Sequence, residues 1–179
     1  VEMGSLELNI PDMVVLKFYY MKDGKTIYGG YVDDSTLDSS FRVIFVLEFK
    51  NKNTLINYPA DINKNKILQV NKVNTIPRLQ NIGIASFVYQ LLAAHGFIIL
   101  SDITQLDGGV GLWVKMAKAA HLNNYIIRII DDEYGYKKDN AGNIIEYNGA
   151  NIDTADIWTH GVDFAGEHIL LMLTPKNRK

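Results

Sequence analysis

Cysteine is absent from the 179 residues. That excludes a disulfide framework, a thiolate zinc site, an iron–sulfur cluster and a cysteine nucleophile. Charge of one sign is also lacking. The formal net charge is −2 and the pI about 6.1, so no global basic field draws the chain to nucleic acid or membrane. Long apolar runs are missing: stretches such as Val43 to Leu47 fall far short of the ~20 residues that cross a bilayer. No signal peptide, Ser–His–Asp arrangement, Walker loop or dinucleotide G-x-G-x-x-G is found. A cytoplasmic single domain spanning residues 1–179 is the expectation, without a membrane partner. Arginine is scarce, 4 against 14 lysines, while asparagine and isoleucine are abundant; this is coding-sequence bias and carries no chemistry.

The hydrophobic fraction is 47% and the charged fraction 21%, ordinary values for a chain that buries a core. The first ten residues are expected to be disordered or extraneous. Met13 to Met21 is strand-like, Lys22-Asp23-Gly24-Lys25 is a hairpin turn, and Thr26 to Val32 returns with Gly29-Gly30 as a bulge. Asp33 to Ser40 is a polar loop. Phe41 to Lys50 alternates, with Phe41, Val43, Phe45, Leu47 and Phe49 on one face. Thr54 to Tyr58 is expected as a short edge strand and Ile67 to Val73 as the next, completing an antiparallel meander.

The period then becomes helical through Ile84, Phe87, Val88, Leu91, Leu92 and His95, with Gly96 as the stop. Phe97 to Leu100 is a strand. A second helix follows Asp107-Gly108-Gly109 through Val110, Trp113, Val114, Ala117 and His121, then a strand from Tyr125 to Ile130. Strand, helix, strand, helix, strand predicts parallel pairing through crossovers. Residues 131–156 form a polar insert with seven acidic residues against two lysines and a hairpin at Asn140 to Asn143; His168 to Leu173 is the last strand. The fold class is mixed α/β: a largely antiparallel central sheet with two main helices after the meander.

Chemistry concentrates between the meander and the first helix. Gln80-x-x-Gly83-x-Ala85 fits Q/R-x-x-G-x-G/A, after a strand and opening an amphipathic helix. Free amides and the helix dipole make such a start an anion cradle, Gly83 permits close approach, and Ala85 keeps the next turn slim.

On these residues the chain resembles the GNAT superfamily of N-acetyltransferases, from about Ile67 to Ile130. The run Ser101 to Gln105, Gly108-Gly109 and Leu112 to Ala117 is similar to GNAT-like proteins encoded by phages. The resemblance implies that acetyl-coenzyme A is the cofactor and that an acetyl group passes to an amine, on a protein or a small molecule. It implies that amides of Gln80, Asn81, Ile82, Gly83, Ile84 and Ala85 hold the pyrophosphate, and that Val70 to Val73 pairs with the pantetheine arm. An amide of that strand, such as Val73's, then polarises the thioester carbonyl.

Two departures stand out. The helices that GNAT enzymes carry between their first two strands, which help form the acceptor site, are replaced by a tight hairpin. Trp113 stands where the family often has a tyrosine acid, and indole has no usable proton. Direct attack by a neutral amine still needs only positioning and a polarised carbonyl.

Asp102 follows the strand 97–100 at the end where α/β sheets bind ligands, as a base or an amine-fixing group, with a turn or cap as its structural role. Ser101 and Gln105 share that place. Glu48 is a candidate base with a cross-strand ion pair as the alternative. Tyr134 and Tyr136 contact an acceptor or pack. His160 and His168 match no helical metal pair, so no metal is assigned; His95 and His121 end helices. Residues 50–80 hold six basic residues against Asp61 alone, a local +5, which suits a phosphate ligand, a nucleic-acid backbone or a solvated edge equally. Two rivals remain: a phage or mobile-element protein that binds a host protein without turnover, and a nucleic-acid base modifier on the same scaffold.

Overall fold

A computed structural model describes residues 1–8, 14–21, 23–33, 40–102, 107–158 and 169–176. The fold is mixed α/β with two α-helices, and every strand pair but one is antiparallel among the described residues. The chain divides into two compact units, Val1–Asn51 with Val70–Leu91, and Lys52–Gln69 with Leu92–Lys179.

The first unit is a meander. Strands β1 (Glu2–Leu8), β2 (Val14–Tyr20), β3 (Thr26–Asp33) and β4 (Ser40–Phe49) pair in chain order, followed by Val70–Thr75 of β5 (Ile67–Thr75). The strand β1 corrects the expectation that residues 1–10 lack structure. It pairs with β2 from Glu2↔Tyr19 to Leu8↔Val14, and Val1 and Tyr20 exchange bonds, N to O, in both directions at 2.9 Å. Its alternation is too weak in apolar residues to be seen without its neighbour.

The expected bulge is present, and it undoes the simple alternation of β4. Gly29 faces Phe45 while Gly30 faces Val43, so Ile44 is the extra residue. A bulge puts two successive side chains on one side. Ile44 and Phe45 are therefore both buried, whereas Phe41 and Val43, expected on the core face, are 38% and 46% exposed. Gly30 is required here, because a Cβ would stand 2.2 Å from Arg42 O and 2.8 Å from the Phe41 ring. On the inner face Phe18 meets Phe45 edge-on at 6.0 Å and Phe87 at 5.5 Å.

Helix α1 (Ile84–Ala94) buries Ile84, Val88 and Leu92 of the predicted period, and also Tyr89, which that period left out. It ends as expected: Gly96 N donates to Ala93 O and Phe97 N to Leu92 O, the bond pair that closes a helix on a left-handed residue.

In the second unit Ile67–Gln69 of β5 runs parallel to β6 (Ile98–Leu100). Here the prediction of successive parallel pairs needs correction. The strand β7 (Tyr125–Asp131) does not adjoin β6; β9 (Ile169–Pro175) lies between, antiparallel to both, and β8 (Gly135–Tyr136) caps β7. The last strand lies between two neighbours because its run from Ile169 to Leu173 is apolar and all of it is buried. Helix α2 (Asp107–Ala119) buries Trp113, Met116 and Ala117. A separate aliphatic cluster joins Leu55, Ile62, Ile98, Leu100, Ile130, Leu170 and Met172. Thr54 to Tyr58 is not a strand: Ile56 and Asn57 both donate to the single carbonyl of Asp132, which no ladder allows. The insert hairpin exists, with Asp139 N donating to Asn143 O and a bridge between Lys138 and Ile144.

Candidate functional site

After β5 the chain makes a 3₁₀ turn over Pro77–Leu79, closed by Gln80 N donating to Pro77 O at 3.2 Å. The Gln80 side chain turns back, its Nε2 donating to Thr75 O at 3.2 Å. Asn81 and Gly83 then adopt left-handed backbone, φ +66° and +95°. For Asn81 this is tolerable; for most residues it costs about 1 kcal/mol or more. The reversal sets the chain into α1, whose first internal bond runs from Phe87 N to Gly83 O at 2.9 Å.

The amides of Ile84, Ala85 and Ser86 thus precede the first helical bond, and their partial positive charge faces the turn. No acidic residue lies in the first turn of α1, and Arg78 is exposed two residues before Gln80. A Cβ placed on Gly83 meets nothing within 4 Å, so the approach is open. Ile84 is 2% exposed and pins the helix start to the core.

Seven of the sequence-predicted cofactor residues lie in this unit: Gln80 to Ala85 in the loop, and Val73 on β5 opposite Leu47. Ser86 was missed. The signal was available, since a helix starting at residue 84 leaves the third free amide there. Gln80, by contrast, has already used its amide. β5 supplies the other feature. Its pairing with β6 stops at Gln69, while its pairing with β4 runs over Val70 to Thr75. No described strand occupies the second edge of that segment.

Glu48 lies in the same unit, half-buried on β4 between Thr26 and Lys72 in register. Lys72 is its register neighbour across the ladder, and Arg42 pairs with Asp33 at 3.3 Å.

The remaining candidates belong to the second unit. Ser101 is fully buried; its hydroxyl accepts from Leu171 N at 3.0 Å, and its own amide donates to Leu171 O at 2.9 Å. It extends the β6–β9 pairing by one residue. Its carbonyl accepts from Gln69 Nε2 at 3.2 Å, and Gln69 also takes Thr54 N on its Oε1 at 2.8 Å. Asp102 follows, half-buried and with partners of its own. Trp113 is 1% exposed. Gln105, His160 and His168 lie outside the described residues.

Tyr134 is 83% exposed. Tyr136 is tied in: its hydroxyl donates to Asp61 at 3.2 Å and accepts from Arg128 at 3.3 Å. Burial pushes this phenol upward against the pull of Arg128. No group of three or more His, Asp or Glu able to hold a metal occurs among the described residues. Among those residues, too, no helix is long and apolar enough to cross a membrane.

No protein-family model, curated protein or solved structure matches the chain.

Proposed function

We propose that the protein is a GNAT-like N-acetyltransferase that takes an acetyl group from acetyl-coenzyme A to an amine. The observation that carries this reading is the Asn81–Gly83 turn: two left-handed residues that open onto three unpaired helix-start amides, with free space in front. The fold class supports it as well. A largely antiparallel sheet with two helices after the meander is what the resemblance implies, although β9 between β6 and β7 was not part of that expectation.

In this reading the amides of Ile84, Ala85 and Ser86, with those of the preceding turn, hold the pyrophosphate. The free edge of β5 from Val70 to Thr75 pairs with the pantetheine arm as an added strand would. Bound there, the coenzyme supplies an activated thioester. An amide on that edge, such as Val73's, donates to the thioester oxygen and stabilises charge developing on it.

Calorimetry with acetyl-coenzyme A tests this. Binding with a dissociation constant on the order of 10 µM is expected. Gly83→Glu, which puts a carboxylate into the cradle and strains the turn, should abolish it. No binding by the folded wild-type chain would defeat the proposal.

A second reading is favoured by one feature. β2 and β3 are joined by a tight turn, with Met21 N donating to Thr26 O at 2.9 Å, which leaves no room for acceptor helices. A protein that keeps the scaffold and binds a host protein would then show coenzyme binding without acetylation of any amine panel. A base-modifying enzyme would instead show salt-sensitive binding to nucleic acid.

A further inference from the structure

The second unit contains a cavity of about 480 Å³, within the range of small-molecule sites. It owes its space to small residues: Ala117 and Ala120 at the end of α2 and Ala150 on the facing turn. Tyr125 and Ile127 of β7 give it an apolar floor. The turn 146–151 forms a wall that is already in place. Asn148 Oδ1 accepts from Ala150 N and Asn151 N, both at 2.9 Å, and Asn151 Nδ2 donates to Glu146 O at 2.9 Å. Gly149 rests so closely on α2 that a Cβ there would stand 2.8 Å from Val114 O.

Its polar groups are uneven in sign. Lys118, His121 and Lys176 are basic, and Glu146 is the one acidic lining residue. Glu146 sits opposite Arg128 in a strand bridge, while the Arg128 guanidinium itself pairs with Asp61 at 3.7 Å; the basic groups outnumber this carboxylate three to one. The helix-end carbonyls nearby are already capped: Lys176 Nζ donates to Ala120 O and Asn123 O at 3.1 Å, and the Tyr125 hydroxyl donates to Met116 O at 3.0 Å. Tyr147 also lines the space. It is 2% exposed, and its hydroxyl is buried with no partner. Such a group is costly unless something absent from the chain satisfies it.

We propose that this cavity binds a small molecule with a flat apolar body and one anionic group. The body lies against Tyr125 and Ile127, and Lys118 and His121 face the anion.

The test is a fluorescence titration of the full chain with 1-anilinonaphthalene-8-sulfonate, beside its uncharged relative N-phenyl-1-naphthylamine. The sulfonate is expected to saturate and to bind at least about fivefold more tightly than the neutral dye. Lys118→Glu should weaken it by about fivefold or more. Ala150→Trp, on an exposed position of the turn, should fill the cavity and remove saturable binding at an unchanged melting temperature. Equal affinity for both dyes, binding indifferent to Lys118→Glu and Ala150→Trp, or no saturation by about 1 mM probe would overturn the proposal.

Discussion

Phe18, Phe45 and Phe87 meet ring against ring in the first unit, whereas the second packs Leu100, Ile130, Leu170 and Met172 around short strands. The polar interior differs too. Beneath β6 the second unit buries Gln69 at 1% exposure and Ser101 at 0%, joined to each other and to Thr54. The first unit needs no such network, since each of its strands follows its neighbour in sequence and the ladder satisfies the backbone. In the second, strands distant in the chain meet, and side-chain bonds complete what the ladders leave open at their ends.

The sharpest challenge to this contrast is Trp113→Ala, which empties the buried face of α2. A loss of about 3–5 kcal/mol is expected in chemical denaturation, with hydrogen exchange rising first in β7 and β9. Gly30→Ala strikes the other unit. Its Cβ collides with the carbonyl of Arg42, and about 3 kcal/mol should be lost, with exchange rising first in β2 to β4. Equal acceleration everywhere in both variants would show that the two units unfold as one.

Removing the buried amide by Gln69→Ala leaves Thr54 N and the Ser101 carbonyl short of partners, at about 2 kcal/mol by the same measurement. If the loss is negligible, the polar network is not what holds β5 to β6. Gly83→Ala should cost only about 1 kcal/mol, from its left-handed backbone, because no atom opposes the methyl. Coenzyme affinity in that variant should fall while the melting temperature barely moves.

The smallest effect concerns the insert. Hydrogen bonds from the Asn143 side chain and amide, then from Ala141 and Gly142, hold the Asp139 carboxyl below its ordinary value of 3.8. A lowered folded value means that its contribution is present above the unfolded value and disappears as pH falls through the folded one. Amide exchange at Asn143, followed by NMR from pH 5 down to about 2, should therefore accelerate only at the acid end.

How much was legible follows the same division. The strands β2 to β5, both helices, the Gly96 stop and the Gly29–Gly30 bulge could be read locally, because turn chemistry and periodicity act within a few residues. The phase of β4 could not, since the extra residue is fixed by pairing with β3 and exchanges the faces of Phe41 and Ile44. The loop from Gln80 to Ala85 was found by its glycine and the helix after it. The engagement of Ser101 depends on β9, seventy residues from it, and no local pattern carries that.

Order along the chain thus settled most of which segments extend, which coil and where α1 starts on its glycine turn. Those preferences are local, set by backbone sterics and side-chain spacing. The place of β9 between β6 and β7, the edge of β5 beyond Gln69 that no described strand occupies and the cavity beside Tyr147 were decided only when distant segments met. There β9 lies between β6 and β7, with its run from Ile169 to Leu173 fully buried.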